Sequence, residues 1–145
     1  MFKLFKKYIN LKKAERKILN QTFFWLVYAT VLARLIPLRW FNHLLGEFRK
    51  EEFTELGSIQ IEIIQLFKKN LRRWKRNFPW KIKCFEEAIA AKKVLEKYKI
   101  KTTLFLGVDK NDKKELTAHA WTKAGNTVIT GEKGFERFVV VGFYT

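Results

Sequence analysis

The chain has 145 residues, 48% of them hydrophobic, which is enough for one folded domain with a buried core. Its 30 Lys and Arg outnumber its 14 Asp and Glu, so the formal net charge is +16 and the partners that it attracts are acidic: nucleic acid, anionic lipid or an acidic peptide. A single cysteine excludes an intrachain disulfide and a thiolate zinc site, and with two histidines we expect no metal and no other cofactor.

The first half of the chain has a helical pattern. Residues 11–36 contain no Gly or Pro and carry apolar residues at helical spacing, so a long helix is expected up to Pro37, followed by a short helix over 39–45. The apolar run 23–33 is shorter than the ~20 residues of a membrane span. It predicts a buried core helix, with membrane insertion or contact with a partner protein as the alternatives.

Ser58 is placed to cap a third long helix that ends in a basic cluster, close to three aromatic residues. Basic and aromatic residues together can bind single-stranded nucleic acid, whereas a solvated helix end with aromatics in the core gives the same pattern. We favour the second interpretation, so no nucleic acid partner is expected. The cluster consists of Lys68, Lys69, Arg72, Arg73, Lys75 and Arg76.

The second half changes from one helix to strands. Residues 85–98 predict a helix with Glu86, Glu87, Lys92 and Lys93 among its outward charges. Strands are then expected near 102–108, 116–123, 127–130 and 138–144, joined by short turns. One helix followed by about four strands at hairpin spacing indicates an α+β fold with an antiparallel sheet.

Cys84 lies at the start of the helix in the second half. A helix N-terminus presents unpaired N–H groups and a partial positive charge, and both favour a thiolate over a thiol. His119 lies in a predicted strand that can pack beside that helix, so the two residues predict an activated nucleophile and its base. A buried apolar cysteine and a structural histidine are the alternative, and His43, in the helical half, is expected to be structural or on the surface.

The stretches Pro79-Trp80-x3-Cys84 and Ala118-His119-Ala120-Trp121 are the most specific pattern in the chain. Together they resemble the transglutaminase-like leader peptidases of lasso peptide biosynthesis, most closely the protease half of the split B protein. The resemblance covers residues 77–145 and, more loosely, 33–40. It implies a papain-like cysteine protease core over 77–145, with residues 1–76 as a helical region that completes the core and docks partners.

The resemblance also implies the reaction and the partners. Cys84 would be the nucleophile and His119 the general base and acid in cutting a lasso precursor peptide between leader and core. A small leader-binding protein and an ATP-dependent cyclase would be the partners. A free thiol and a basic N-terminus without a secretory signal predict a cytoplasmic protein, and the positive charge leaves peripheral membrane contact open.

One position departs from the family. Its third catalytic residue is commonly an Asp twelve residues after the His, and this chain has Gly131 there. Glu132, Asn126 and a backbone carbonyl are the candidates to orient His119 instead. Trp80 and Trp121 are predicted to line the substrate cleft, with core packing as the alternative for both.

Two other functions use the same residues or the same charge. A Cys-His pair can pass its acyl group to an amine instead of water, as transglutaminases do. A basic module that binds nucleic acid or a membrane surface would need no catalysis, and its thiol would be inert.

Overall fold

A computed structural model of the chain describes residues 2–50 and 55–145. Within these ranges helices occupy the first half and strands the second. The helices are α1 (Phe2–Ile9), α2 (Lys13–Leu35), α3 (Leu38–Phe41), α4 (Ser58–Asn77) and α5 (Cys84–Glu96), and the strands are β1 (Thr103–Lys110), β2 (Leu116–Ala124), β3 (Thr127–Thr130) and β4 (Val139–Tyr144). Short 3-10 turns cover Asn42–Leu45 and Phe135–Arg137.

The four strands form one antiparallel sheet in the order β3-β2-β1-β4. In its register, His119 on β2 lies opposite Gly107 on β1, and Trp121 lies opposite Phe105. The predicted α+β fold with an antiparallel sheet of four strands is confirmed. Each strand begins and ends within two residues of its expected bounds, because alternating apolar residues and turn residues mark strands locally.

Helix α2 carries the apolar run and is only partly covered. Leu26, Ala29 and Leu32 are buried, whereas Phe24 and Leu35 are exposed. Among the described helices, α2 alone has the length and composition to cross a membrane, and 39% of its most apolar window is buried inside the protein. Core helices of soluble proteins can have the same length and composition, and α2 packs along α5.

Helix α4 begins differently from the prediction. Ser58 is the first helical residue and Gly57 occupies the N-cap, so the expected Ser58 cap is wrong. The Gln60 side chain accepts a hydrogen bond of 2.9 Å from the Gly57 N–H, so the N-cap donor is satisfied by a residue of the first turn.

The core is shared by the helical region and the sheet. One cluster joins Ile18 and Leu26 of α2 to Leu95 of α5 and Ile129 of β3, and a second joins Ala29 of α2 to further residues of α5 and the sheet. A sheet of four short strands covers little apolar area by itself, so α5, with α2 and α4 packed against it, supplies the opposite wall of its core.

Helix α5 differs from its predicted faces at two residues. Glu86 and Glu87 were expected to face solvent, but they are 0% and 8% exposed. Lys92 and Lys93 are half-buried. The prediction was wrong because α5 is covered on several sides, by α2, by α4 and by the sheet, so a charged residue at its start has no solvent face to occupy.

Candidate active site

Cys84 is the first residue of α5, where the extended loop 78–83 turns into the helix. The first amides of a helix have no intrahelical acceptor, so the N–H groups beside the sulfur are free to face an anion. The Cys84 side chain is half-buried and packs against the second core cluster, which includes Ala88 and Ala120. The thiol is therefore held at a helix start without being enclosed in the core.

An ion pair between the partly exposed Arg34 and the buried Glu86 holds this helix start in place. Arg34 of α2 donates from Nε to Glu86 Oε1 at 2.6 Å and from a terminal nitrogen to the Lys81 carbonyl at 2.8 Å. Glu86 in turn accepts a 3.0 Å hydrogen bond from the Lys83 N–H. One arginine thus ties α2 both to the loop before Cys84 and to the first turn of α5.

His119 lies on β2, and its ring position is set by a backbone acceptor. Nε2 is 2.8 Å from the Gly131 carbonyl oxygen. A carbonyl can only accept, so Nε2 carries the proton and Nδ1 of the neutral ring has a free lone pair. The ring also packs on Trp121, at 5.9 Å between centroids, and on Phe138, at 4.9 Å.

The packing of α5 on β2 brings the elements of Cys84 and His119 together. Thr122 Oγ1, three residues beyond His119, donates to the Ala88 carbonyl, one turn beyond Cys84. Ala120, next to His119, belongs to the cluster on which Cys84 packs. No hydrogen bond joins the Cys84 sulfur to the His119 ring in this structure, and catalytic contacts in apo enzymes are often longer than in the substrate complex.

The candidates for a third group lie in different places. Gly131 follows β3, and its carbonyl is the acceptor at His119. The Glu132 side chain is 70% exposed and lies 3.8 Å from Lys68, away from the imidazole hydrogen bond. Asn126 is exposed in the β2–β3 turn. Of the three candidates, the backbone carbonyl therefore orients the ring here, and the Glu132 and Asn126 side chains do not.

The two tryptophans have different surroundings. Trp121 is 3% exposed and stacks on Phe105, at 5.5 Å, and on the His119 ring, at 5.9 Å. It supports the imidazole from the core, and direct contact with a substrate would require its face to be uncovered. Trp80 is 36% exposed, and its indole N–H lies 3.3 Å from Thr30 Oγ1 of α2, so it is held on the loop that leads to Cys84.

The Glu87 carboxylate, which the helical period predicts to face solvent, is buried near the start of α5. Glu87 is three residues after Cys84 and forms a 2.7 Å ion pair with Lys75 of α4. Burial raises the pKa of Glu87, and the nearby charges of Lys75 and His119 oppose that rise. The sequence signal for Glu86 was its spacing of three from the helix N-cap, whereas nothing local signals Glu87.

No group of three or more His, Cys, Asp and Glu side chains that could hold a metal ion occurs within residues 2–50 and 55–145. The described groups at this site are a thiol, an imidazole, free amides and two buried carboxylates. This set suits nucleophilic attack on a carbonyl followed by proton transfer.

Fold and site together define an α+β protein with a cysteine at a helix start and a histidine on the adjoining strand. A family model of the transglutaminase-like superfamily matches residues 27–142, so the chain belongs to this superfamily. The superfamily includes cysteine proteases and acyltransferases. No curated protein and no solved structure matches the chain. The match begins within α2 and crosses the boundary expected at residues 76 and 77.

Proposed function

We propose that this protein is a cysteine peptidase that removes the leader from a lasso precursor peptide. The observation that carries the proposal is the hydrogen bond from His119 Nε2 to the Gly131 carbonyl. It leaves Nδ1 as a base on the strand that packs against the helix of Cys84. The peptide substrate rests on the resemblance of the Cys84 and His119 motifs to lasso leader peptidases.

In the proposed reaction, Nδ1 of His119 takes the thiol proton and the Cys84 sulfur attacks the carbonyl carbon of the last leader residue. The free amides at the start of α5 stabilise the oxyanion. When the C–N bond breaks, the imidazolium gives its proton to the amine of the core peptide and a thioester remains. Water, deprotonated by His119, then releases the leader carboxylate and restores the thiol.

The test is mass spectrometry of a lasso precursor peptide incubated with the protein, with and without its leader-binding protein. We expect one cut between leader and core, so the masses of the two products should sum to the precursor mass plus one water. Cys84→Ala and His119→Ala should each abolish the cut. His43→Ala is the matched control, because His43 is exposed on the 3-10 turn Asn42–Leu45 and should leave the rate unchanged. A Cys84→Ala protein that still cuts the precursor would refute the proposal.

Acyl transfer to an amine is the second candidate, since the superfamily also includes acyltransferases. It uses the same thioester but gives a different product. Transfer from a glutamine to a lysine side chain releases ammonia and leaves the peptide uncut. The mass of the product therefore decides between the two reactions with the same samples.

Binding to nucleic acid without catalysis is less well supported. Much of the basic cluster on α4 is engaged within the protein: Lys69 and Arg73 bind Glu15, and Lys75 binds Glu87. The cluster still contributes to a positive surface that suits an acidic peptide or leader-binding protein. The proposal also includes such a contact with an acidic partner and an ATP-dependent cyclase as the next enzyme. It further includes a cytoplasmic location and peripheral membrane contact.

A further inference from the structure

Helix α2 carries an exposed row of apolar side chains on the side that faces away from the core. Phe24, Val31 and Leu35 are 60%, 46% and 76% exposed, and Tyr28 between them is half-buried. These positions repeat at intervals of four, three and four residues, so they share one face of the helix over three turns. The four residues Phe24, Tyr28, Val31 and Leu35 form the α2 stripe.

The α2 stripe lies opposite the residues that pack into the core. Leu26 and Ala29 are 0% exposed, and they lie two residues, or about 200° around the helix, from Phe24 and Val31 respectively. Helix α5 packs on that inner side. A helix that is apolar on both sides is normally covered on both. The outer side, which stays exposed among the described residues, is therefore a surface for a second occupant.

The shape of the exposed surface indicates a helix as that occupant. The residues on either side of Phe24 are already engaged: Phe23 packs on the Trp74 ring, at 4.7 Å between centroids, and Trp25 packs against the first core cluster. What remains is a narrow row with the spacing of the a and d positions of a coiled coil, which one partner helix fits. A lipid surface requires no such spacing, because its binding depends on apolar area and charge.

The charges in line with the α2 stripe are positive. Lys17 lies seven residues before Phe24 on the same face, Lys13 lies one turn before Lys17, and both are exposed. Glu15 is the only acidic residue of α2, and it forms ion pairs with two cations of α4. An occupant with acidic residues beside its apolar row is therefore attracted, whereas a second copy of this chain, with its own net charge of +16, is repelled.

We propose that the α2 stripe is a docking surface for an acidic amphipathic helix of a partner protein. The apolar side chains of the partner helix pack on the stripe, and its carboxylates face Lys13 and Lys17. This inference goes beyond the proposed function, because no residue of the α2 stripe takes part in the reaction described there.

The first test measures the binding of a fluorescent synthetic helix to the full chain by anisotropy. The probe is a peptide of about three heptads with Leu at positions a and d and Glu beside them, and a matched peptide has Lys in place of Glu. We expect the acidic peptide to bind at least about tenfold more tightly than the basic one, and added salt to reduce the difference. No binding of the acidic peptide, or equal binding of both, would overturn the proposal.

The double variant Val31→Gln with Leu35→Gln tests the stripe itself. Glutamine is a good helix former, so α2 should fold as before, which circular dichroism checks. Binding of the acidic peptide should weaken by about tenfold or more through lost apolar burial. Ile59→Gln with Ile61→Gln is the matched control, since these α4 residues are 71% and 46% exposed but point to different faces. Equal weakening by the two double variants would contradict docking on the stripe.

Lys17→Glu tests the charge without changing an apolar residue. We expect it to weaken binding of the acidic peptide by about threefold and to favour the basic peptide. Lys113→Glu makes the same change in net charge at an exposed site in the β1–β2 turn and is the control. The same effect from both variants would show that net charge alone attracts the peptide, and the proposed position of its carboxylates would be wrong.

Two measurements without peptide test the other possible occupants. Sedimentation velocity should show a monomer, and a dimer that Val31→Gln with Leu35→Gln dissociates would make a second copy the occupant. Flotation with vesicles of phosphatidylcholine and phosphatidylglycerol in equal amounts tests a membrane. The net charge allows such binding, but the same double variant should leave it unchanged. Loss of vesicle binding in that variant would assign the stripe to a membrane and overturn the proposal.

Discussion

The two ends of helix α5 are built from different chemistry. Residues 88–95 include six apolar side chains that are fully buried between α2, α4 and the sheet. The first turn also contains buried residues, but Glu86 and Glu87 are charged there and are held by Arg34 of α2 and Lys75 of α4. Apolar packing holds the body of the helix in place, whereas charge-assisted hydrogen bonds hold its first turn.

This difference separates residues that mainly stabilise the fold from residues that also position Cys84. Apolar packing is strong but tolerates substitution by residues of similar volume. A charge-assisted hydrogen bond fixes distance and direction, and it is costly to break on one side only. We therefore expect substitutions in the body to change mainly the stability of the fold, and substitutions in the first turn to change the reactivity of Cys84 as well.

The largest effect is expected in the body of the helix. Leu95 is 0% exposed in the first core cluster, so Leu95→Ala should lower the free energy of unfolding by roughly 2–5 kcal/mol through lost burial and a cavity. Urea unfolding followed by circular dichroism measures this change. Lys17→Ala, at an exposed site on α2, is the control and should change it by less than about 0.5 kcal/mol. The Leu95→Ala protein that remains folded should keep the wild-type pH profile of Cys84 alkylation by iodoacetamide.

Removal of Arg34 should have the next largest effect, and it should change both the stability of the fold and the reactivity of Cys84. Arg34→Met leaves the buried Glu86 with the Lys83 N–H but without its cation, which should cost roughly 1–3 kcal/mol in urea unfolding. Alkylation of Cys84 should also lose its dependence on His119, since the loop and the first turn are no longer held to α2. The double variant Arg34→Met with Glu86→Gln should regain part of the stability but not the alkylation profile. Equal recovery of both would show that the pair acts on stability alone.

Restoration of the family's carboxylate at residue 131 should damage the site. Gly131 has φ of +69°, and a Cβ there would lie 2.5 Å from the Ala120 carbonyl oxygen and 2.7 Å from Trp121 Cβ. Gly131→Asp should therefore cost roughly 2 kcal/mol and displace the acceptor of His119. Urea unfolding and precursor cleavage both report this, with Gly134→Asp as a control at a similar φ and with open space. Increased cleavage by Gly131→Asp would show that the position can still take the family's residue.

At neutral pH the smallest effect concerns a lysine in the body of α5, because its change in stability is confined to alkaline pH. Burial lowers the pKa of Lys92 to about 8, and its ammonium donates to the Thr102 carbonyl. Between that value and 10.5 the unfolded chain binds a proton that the folded protein has lost, so the wild type gains stability as the pH rises through this window. Lys92→Met cannot gain it, and its stability relative to wild type should fall across the same range. A difference that is constant with pH would contradict the expected titration.

Much of the secondary structure could be predicted from local patterns. Pro37 and Pro79 mark helix boundaries, and the β2–β3 turn at Gly125 and Asn126 separates two strands as expected. The faces of α5 could not be predicted in the same way. The helical period placed Glu86 and Glu87 opposite the apolar residues, but it holds no information on how many neighbours a helix will have.

The candidate site likewise combines residues that a local pattern could predict with contacts that it could not. The cysteine at a helix start and the histidine in a strand were visible as residue types in local context. The acceptor at His119 was one of three candidates, because a backbone carbonyl has no sequence signature. Arg34 lies 52 residues from Glu86 and on a different helix, so no local pattern could pair them.

The amino-acid sequence alone determined the α+β class, the order of the elements after α1 and the candidate catalytic residues, because these depend on the period of apolar residues and on side-chain types. Tertiary structure alone decided which carboxylates are buried, which atom orients the imidazole and which cations hold the first turn of α5. Those outcomes depend on contacts between residues far apart in the chain, where burial and charge act through space.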